Sequence, residues 1–146
     1  MACVLNLKIS DRYPPRRTCF LNIFAQGYTD SVERLMACAD FAITKPGGLT
    51  ISECLSMSLP MIINAPIPGQ EERNADFLLE EGVALKAIDA VTLEYRVRYL
   101  LERPDKLADM RAKATALGRP HAAMHVVKAV LEKILEQSPD TRHASH

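Results

Sequence analysis

Short apolar segments alternate with helical segments along most of this chain, and this alternation constrains the fold more than any other sequence feature. Apolar runs of this length, rich in β-branched and aromatic residues, predict buried strands. They lie at 19–25, 41–44, 61–64 and 83–87. Strands that alternate with helices are typical of right-handed βαβ units. We therefore predict an α/β fold, a Rossmann-like parallel sheet with helices on both faces.

Capping and turn residues delimit the helices. Asp30, Ser31 and Glu33 form a capping-box-like start, and Gly82 stands at the position expected just after a helix end. The predicted helices cover about 30–39, 49–57, 70–81, 91–102, 105–117 and 122–136. Residues 1–17 have no clear period and are expected to form an irregular lead-in. Residues 18–137 are expected to form the domain, and residues 138–146 a disordered tail.

The charge balance narrows the classes of partner. Lys and Arg number 18 and Asp and Glu number 18, which gives a formal net charge of zero. Proteins that bind a nucleic acid duplex normally carry a basic excess, so nucleic acid is not an expected partner. No apolar run approaches the ~20 residues that a membrane span requires. The charged start is not expected to be a signal peptide, and the four cysteines lack Cys-x-x-Cys spacing.

Two adjacent glycines, Gly47 and Gly48, join a predicted strand to a predicted helix. Ligands of parallel sheets bind at the carboxyl ends of the strands, and the free N–H groups of a first helical turn attract anions. The residues fit neither the Walker A pattern nor Gly-x-Gly-x-x-Gly. A plain tight turn explains the glycines equally well, so the residues alone leave both interpretations open.

Polar residues cluster around these turns. Glu53 follows Thr50 by three residues on one helix face, where its carboxylate could accept two hydrogen bonds from a ribose diol or merely complement the helix dipole. Amide and carboxylate side chains at 70–74 suit sugar hydroxyls, although a solvated helix start has the same composition and is the expected role of Glu72 and Arg73. His121 and His125 lack an obvious third ligand, so no metal site is expected.

Two segments of the sequence, residues 43–53 and 66–76, closely resemble the C-terminal half of processive diacylglycerol glycosyltransferases, in glycosyltransferase family 28. The same group includes monogalactosyldiacylglycerol synthase, and the lipid-linked N-acetylglucosamine transferase of peptidoglycan synthesis is more distantly similar. The resemblance runs from about Gly27 to Leu135 and includes residues 117–123.

The resemblance implies the C-terminal half of a GT-B enzyme, in which two Rossmann-like domains flank a cleft and this one binds a UDP-sugar donor. It also implies a role for each matching residue. Tyr28 and Thr29 would lie at the uracil, Gly47, Gly48, Leu49 and Thr50 at the diphosphate, Glu53 at the ribose, Gln70 and Glu71 at the hexose, and Asn74 would orient that loop.

The implied reaction is inverting transfer of a hexose from a UDP-sugar to the hydroxyl of a diacylglycerol-type lipid, with no metal or other cofactor. The general base of this family belongs to the N-terminal domain, so no catalytic residue is expected in this chain. The expected partners are UDP-hexose, the acceptor-binding domain or subunit and, through it, a lipid at a membrane surface. The expected location is the cytoplasm, at the membrane periphery.

Residues 1–17 contain no glycine, whereas the donor domain of the family begins with a strand and a glycine-rich loop. The chain is therefore expected to be the donor-binding portion of a transferase, inactive alone. Two alternatives are a soluble subunit of a two-chain UDP-N-acetylglucosamine transferase and a non-catalytic UDP-sugar-binding module. A sheet of about four strands also leaves an open edge, which a homodimer would cover.

Overall fold

The computed structural model describes residues 3–5 and 29–137. Within these ranges the strands are β1 (Cys3–Leu5), β2 (Phe41–Thr44), β3 (Met61–Asn64) and β4 (Ala84–Ala87). The helices in the same ranges are α1 (Val32–Cys38), α2 (Gly48–Ser56), α3 (Gln70–Glu80), α4 (Ala90–Leu101), α5 (Pro104–Leu117) and α6 (Ala122–Gln137). The three predicted strands and six predicted helices that fall here are confirmed, each to within one or two residues.

The sheet has the order β1-β2-β3-β4, and its last three strands run parallel. Thr44 at the end of β2 pairs with Ile63, and Asn64 at the end of β3 pairs with Ala87. The carboxyl ends of β2 and β3 therefore meet at one edge of the sheet. This confirms the predicted α/β class and puts the loops that follow these two strands side by side.

The first strand corrects two predictions. β1 pairs antiparallel with β2, so the sheet is not parallel throughout, and Cys3–Leu5 lies inside the segment predicted to be an irregular lead-in. Three residues are too few to show a two-residue period, and their pairing partner lies far along the chain. The predicted strand at 19–25 and the predicted tail at 138–146 lie outside the described residues.

Helices cover both faces of the sheet. Alternate strand residues point to opposite sides, and two buried clusters result. One cluster takes Ala42, Met61 and Ile63 from the strands and packs them against α1, α2, α3 and the last turn of α5. The other takes Phe41 and Ile62 and packs them against α4 and α5. Burial on both faces explains why these strands are apolar without alternation.

The helix ends differ in how their backbone groups are satisfied. At the end of α3, Gly82 adopts a φ of 69°, and its N–H and that of Val83 donate to the last turn, which confirms the predicted stop. The predicted capping box at α1 does not form, because the Ser31 hydroxyl bonds to Asp30 rather than to the helix. Asp89 instead caps α4, accepting from the Thr92 N–H at 2.7 Å.

The last helix stands apart from the buried clusters. Every α6 side chain from Ala122 to Glu136 is exposed, including large apolar ones. These are Met124, Val126, Val127, Val130, Leu131, Ile134 and Leu135. Within residues 3–5 and 29–137, no helix combines the length and the apolar character needed to cross a membrane.

Candidate functional site

The loop after β2 directs free backbone N–H groups outward from the sheet edge. The first hydrogen bond of α2 joins the Ile51 N–H to the Gly47 carbonyl at 3.0 Å. The N–H groups of Gly48, Leu49 and Thr50 precede it and have no acceptor within the helix. Gly47 is the N-cap residue, and its own N–H donates to the Lys45 carbonyl at 2.9 Å. Three donors therefore converge at the positive end of the helix dipole, which favours a bound anion.

Glu53 lies one turn further along α2, with an exposed side chain. It lines a cleft of about 560 Å³ between α1, α2 and the segment that joins α5 to α6. Ser52 and Ser56 lie on the same wall. The Thr50 hydroxyl lies 4.0 Å from the position that a β-carbon on Gly47 would occupy, beside the start of the helix. The predicted pair thus begins with Thr50 at the turn that carries the free N–H groups and continues with Glu53 into an open cleft.

The loop after β3 presents the residues predicted for a sugar. It ends at Gly69, whose φ of 107° is a conformation that suits glycine and strains other residues. Gln70 begins α3 with an exposed side chain. The Glu71 carboxylate turns back and accepts from the Ile67 N–H at 2.8 Å through Oε2. Because a carboxylate has further lone pairs, Glu71 can hold its own loop and still accept from a hydroxyl group.

Asn74 connects the two loops. Its side-chain Nδ2 donates to the Pro46 carbonyl at 2.9 Å, across 28 residues of sequence. The structure therefore gives Asn74 an orienting contact with the loop after β2, whereas the sequence suggested one with its own loop.

The remaining predicted residues fall at the margin of the described structure. Thr29 uses its hydroxyl locally, accepting from the Ser31 N–H at 3.1 Å just before α1. Tyr28, predicted beside it at the uracil, lies outside the described residues. His121 immediately precedes α6, and its carbonyl accepts from the His125 N–H at 3.0 Å, so the two histidines lie one helical turn apart. In the part of the chain that the structure describes, no group of three His, Cys, Asp or Glu side chains could hold a metal.

Two residues that line the cleft beside Glu53 were missed by sequence reasoning. Arg119 and Glu33 both contribute to its wall, together with Pro120. Gly118 ends α5 and places Arg119 there. The available signal for Arg119 was its position in the family-like segment 117–123, but nothing in the local pattern indicated that this segment reaches α2.

The fold and this edge together define a Rossmann-like domain whose polar groups lie at the carboxyl ends of parallel strands, where such sheets bind ligands. Residues 8–129 match the glycosyltransferase family 28 C-terminal domain. The chain belongs to this family.

The chain is also similar to named enzymes, all called processive diacylglycerol beta-glucosyltransferase. It is 33% identical over 117 residues to the protein of Bacillus cytotoxicus, which covers 80% of this chain and 29% of that protein. For Bacillus thuringiensis the identity is 34% over 107 residues, 73% of this chain and 28% of the relative. For Bacillus pumilus the identity is 34% over 114 residues, which is 78% of this chain and 29% of the relative. The chain thus matches less than a third of the length of these relatives.

Proposed function

We propose that this chain is the donor-binding part of an inverting glycosyltransferase that moves a hexose from a UDP-sugar to a diacylglycerol-type lipid. The observation that carries the proposal is the set of three free N–H groups at the start of α2, with Glu53 one turn away at the mouth of a cleft. A nucleoside diphosphate has this combination of features, an anionic diphosphate next to a ribose diol. The names of the relatives support the lipid acceptor.

Each group has a chemical task in this proposal. The N–H groups of Gly48, Leu49 and Thr50 stabilise the negative charge that develops on the UDP leaving group, so no metal is required for it. Glu53 accepts hydrogen bonds from both ribose hydroxyls. Gln70 and Glu71 bind the hexose, because an amide and a carboxylate can pair with vicinal hydroxyls. Tyr28 and Thr29 complete the site at the uracil.

In this proposal, the acceptor site and the general base belong to a second body. This body closes over the donor edge, the edge of the sheet formed by the loops after β2 and β3. Two exposed apolar side chains flank that edge, with Leu49 83% exposed and Ile67 54% exposed. In this proposal, these two side chains are contact points for the second body. The chain alone is therefore expected to bind the donor without transferring the sugar.

The apolar face of α6 supports the same proposal. Its 16 residues extend for about 24 Å, or little more than two heptads, which is short for a stable pairing with a second α6. Outside the apolar face, α6 has two lysines and two glutamates, at 128, 133, 132 and 136, so its net charge is near zero. A helix that binds an anionic membrane instead has a basic polar face. A protein surface in the acceptor-binding body is therefore the proposed occupant.

Isothermal titration of the full 146-residue chain with UDP tests the proposal. We expect binding, with affinity reduced about tenfold or more by Glu53→Ala, because a hydrogen bond to a charged group contributes ~1.5–3 kcal/mol. Glu80→Ala is the matched control, since Glu80 is an exposed carboxylate at the far end of α3. Absence of UDP binding by the unaltered chain would contradict the proposed function. Equal UDP affinity of Glu53→Ala and Glu80→Ala would show that Glu53 does not bind the ribose.

Titration with UDP-glucose, UDP-galactose and UDP-N-acetylglucosamine then separates the substrate classes. A preference for the N-acetylated donor would favour the two-chain alternative over hexose transfer. Transfer of hexose to diacylglycerol after the acceptor-binding part is added would exclude the non-catalytic module.

A further inference from the structure

The peptide group between Pro46 and Gly47 is held at both of its polar ends. The Gly47 N–H donates to the Lys45 carbonyl at 2.9 Å, and the Pro46 carbonyl accepts from Asn74 Nδ2 at 2.9 Å. Because a carbonyl oxygen only accepts, the partner must be the nitrogen of the Asn74 amide. The Pro46 ring is fully buried. The plane of this peptide is thereby fixed immediately before the free N–H groups of α2.

The same helix also holds the neighbouring loop. Glu71, in the first turn of α3, accepts from the Ile67 N–H at 2.8 Å, which closes the loop that ends at Gly69. Asn74 lies one turn further on, partly buried, and reaches the loop after β2. The first two turns of α3 therefore contact both loops of the donor edge.

We infer that Asn74 is a positioning residue that joins the two loops into one unit, so that the diphosphate-binding N–H groups are aligned from the sugar-binding helix. This inference rests on the proposed function, because it assigns the two loops to diphosphate and hexose. It differs from a direct contact between Asn74 and the sugar. A direct contact would affect only ligands that carry a hexose, whereas alignment of α2 affects UDP itself.

Titration of Asn74→Ala with UDP and with UDP-glucose separates these roles. We expect the affinity for UDP to fall about fivefold to tenfold, as for the loss of one structural hydrogen bond, and the affinity for UDP-glucose to fall by the same factor. Glu72→Ala is the matched control, because Glu72 is exposed in the same turns of α3. Asn74→Gln keeps an amide donor on a longer side chain, and we expect it to recover part of the lost affinity.

Amide hydrogen exchange of Gly47 provides a second readout that needs no ligand. We expect its N–H to exchange faster in Asn74→Ala than in the unaltered chain, with no change in Glu72→Ala, because the Pro46–Gly47 peptide is no longer held at its carbonyl. A merely structural role would instead lower the melting temperature without a selective effect at Gly47.

Unaltered UDP affinity in Asn74→Ala would overturn the inference, whatever the exchange rates show. A loss restricted to UDP-glucose would also overturn it and would assign Asn74 to the sugar instead. Failure of the proposed function looks different, because the unaltered chain would then bind no UDP while exchange at Gly47 would still separate Asn74→Ala from Glu72→Ala. In that case the assignment of the two loops to diphosphate and hexose is rejected together with the proposed function.

Discussion

Gly118 lies so close to Leu55 that a β-carbon on the glycine would overlap the Leu55 carbonyl oxygen. The φ of Gly118 is −61°, which any residue can adopt, so space rather than conformation requires glycine here. This contact joins the end of α5 to the last turn of α2. It also brings Arg119 and Pro120 to the cleft beside Glu53. One close approach of two helix ends therefore forms a wall of the candidate site.

Gly118→Ala is expected to lower the free energy of unfolding by about 1–3 kcal/mol, because the added methyl group forces the backbone of α2 or α5 to move. Urea denaturation measures the loss. Gly48→Ala is the control, since a β-carbon at Gly48 would meet no atom within 4 Å. Equal stability of the two variants would show that the helix ends can separate without cost.

Two helices end in the same hydrogen-bonding pattern but with different residues in the left-handed position. Ser58 follows α2 with a φ of 54°, and Gly82 follows α3 with a φ of 69°. In each case two N–H groups donate back into the last turn. Because a side chain disfavours this conformation by ~1–2 kcal/mol, Ser58→Gly should stabilise the protein by about 1 kcal/mol and Gly82→Ala should destabilise it. Thermal denaturation checks both, and a loss of stability in Ser58→Gly would refute the explanation.

The cap of α4 should make stability depend on pH. The hydrogen bonds that Asp89 accepts from Thr92 hold the pKa of its carboxyl below the ordinary value of 3.8. The ionised cap therefore stabilises the folded state above pH 3.8, and this contribution is lost as the pH falls through the lowered pKa. We expect Asp89→Ala to melt at a lower temperature than the unaltered chain at pH 7, and the difference to shrink towards pH 3.

Asp76→Ala serves as the control for this comparison, since Asp76 is exposed within α3. Melting curves at several pH values suffice. A temperature difference for Asp89→Ala that stays constant from pH 7 to pH 3 would exclude the carboxylate as its source.

The buried thiol of Cys54 should make the stability of the fold depend on pH in alkaline solution. Burial, with a smaller effect from the charge of Glu53, raises the pKa of the Cys54 thiol from 9.0 to about 12. Between these values the unfolded chain loses a proton that the folded chain keeps, so stability falls as the pH rises above 9, by ~1.4 kcal/mol per pH unit.

We expect Cys54→Ala to remove this part of the alkaline loss, while the exposed Cys38→Ala variant keeps it. Urea denaturation at pH 8, 9 and 10 measures the slopes, which are independent of any constant packing loss in the variant. Parallel curves for Cys54→Ala and the unaltered chain would contradict the assignment.

Local patterns account for the parts of the fold that sequence predicts well. β2 and β3 are apolar runs closed by proline and glycine, so their positions follow from burial and turn chemistry. The site could be assigned to one edge of the sheet because parallel strands end together. β1 could not be predicted, since three residues carry no period and their pairing is decided by β2.

Contacts between distant residues are the other part that sequence reasoning missed. The hydrogen bond from Asn74 to Pro46 and the contact of Gly118 with Leu55 each join residues that are far apart in the chain. Residue type permits such contacts without specifying them. The exposure of α6 was missed for the same reason, because an amphipathic pattern predicts a helix but not which surface covers it.

The hydrogen-bond donors at the start of α2 are main-chain N–H groups, so replacing a side chain does not remove them. A substitution at Leu49 or Thr50 changes a side chain but leaves the N–H group in place. Gln70, by contrast, has an exposed side chain that can be replaced without a change in any main-chain group. Under the proposed function, a library of variants at Gln70 could therefore change the choice of sugar. Every variant would keep the main-chain N–H groups that bind the nucleotide.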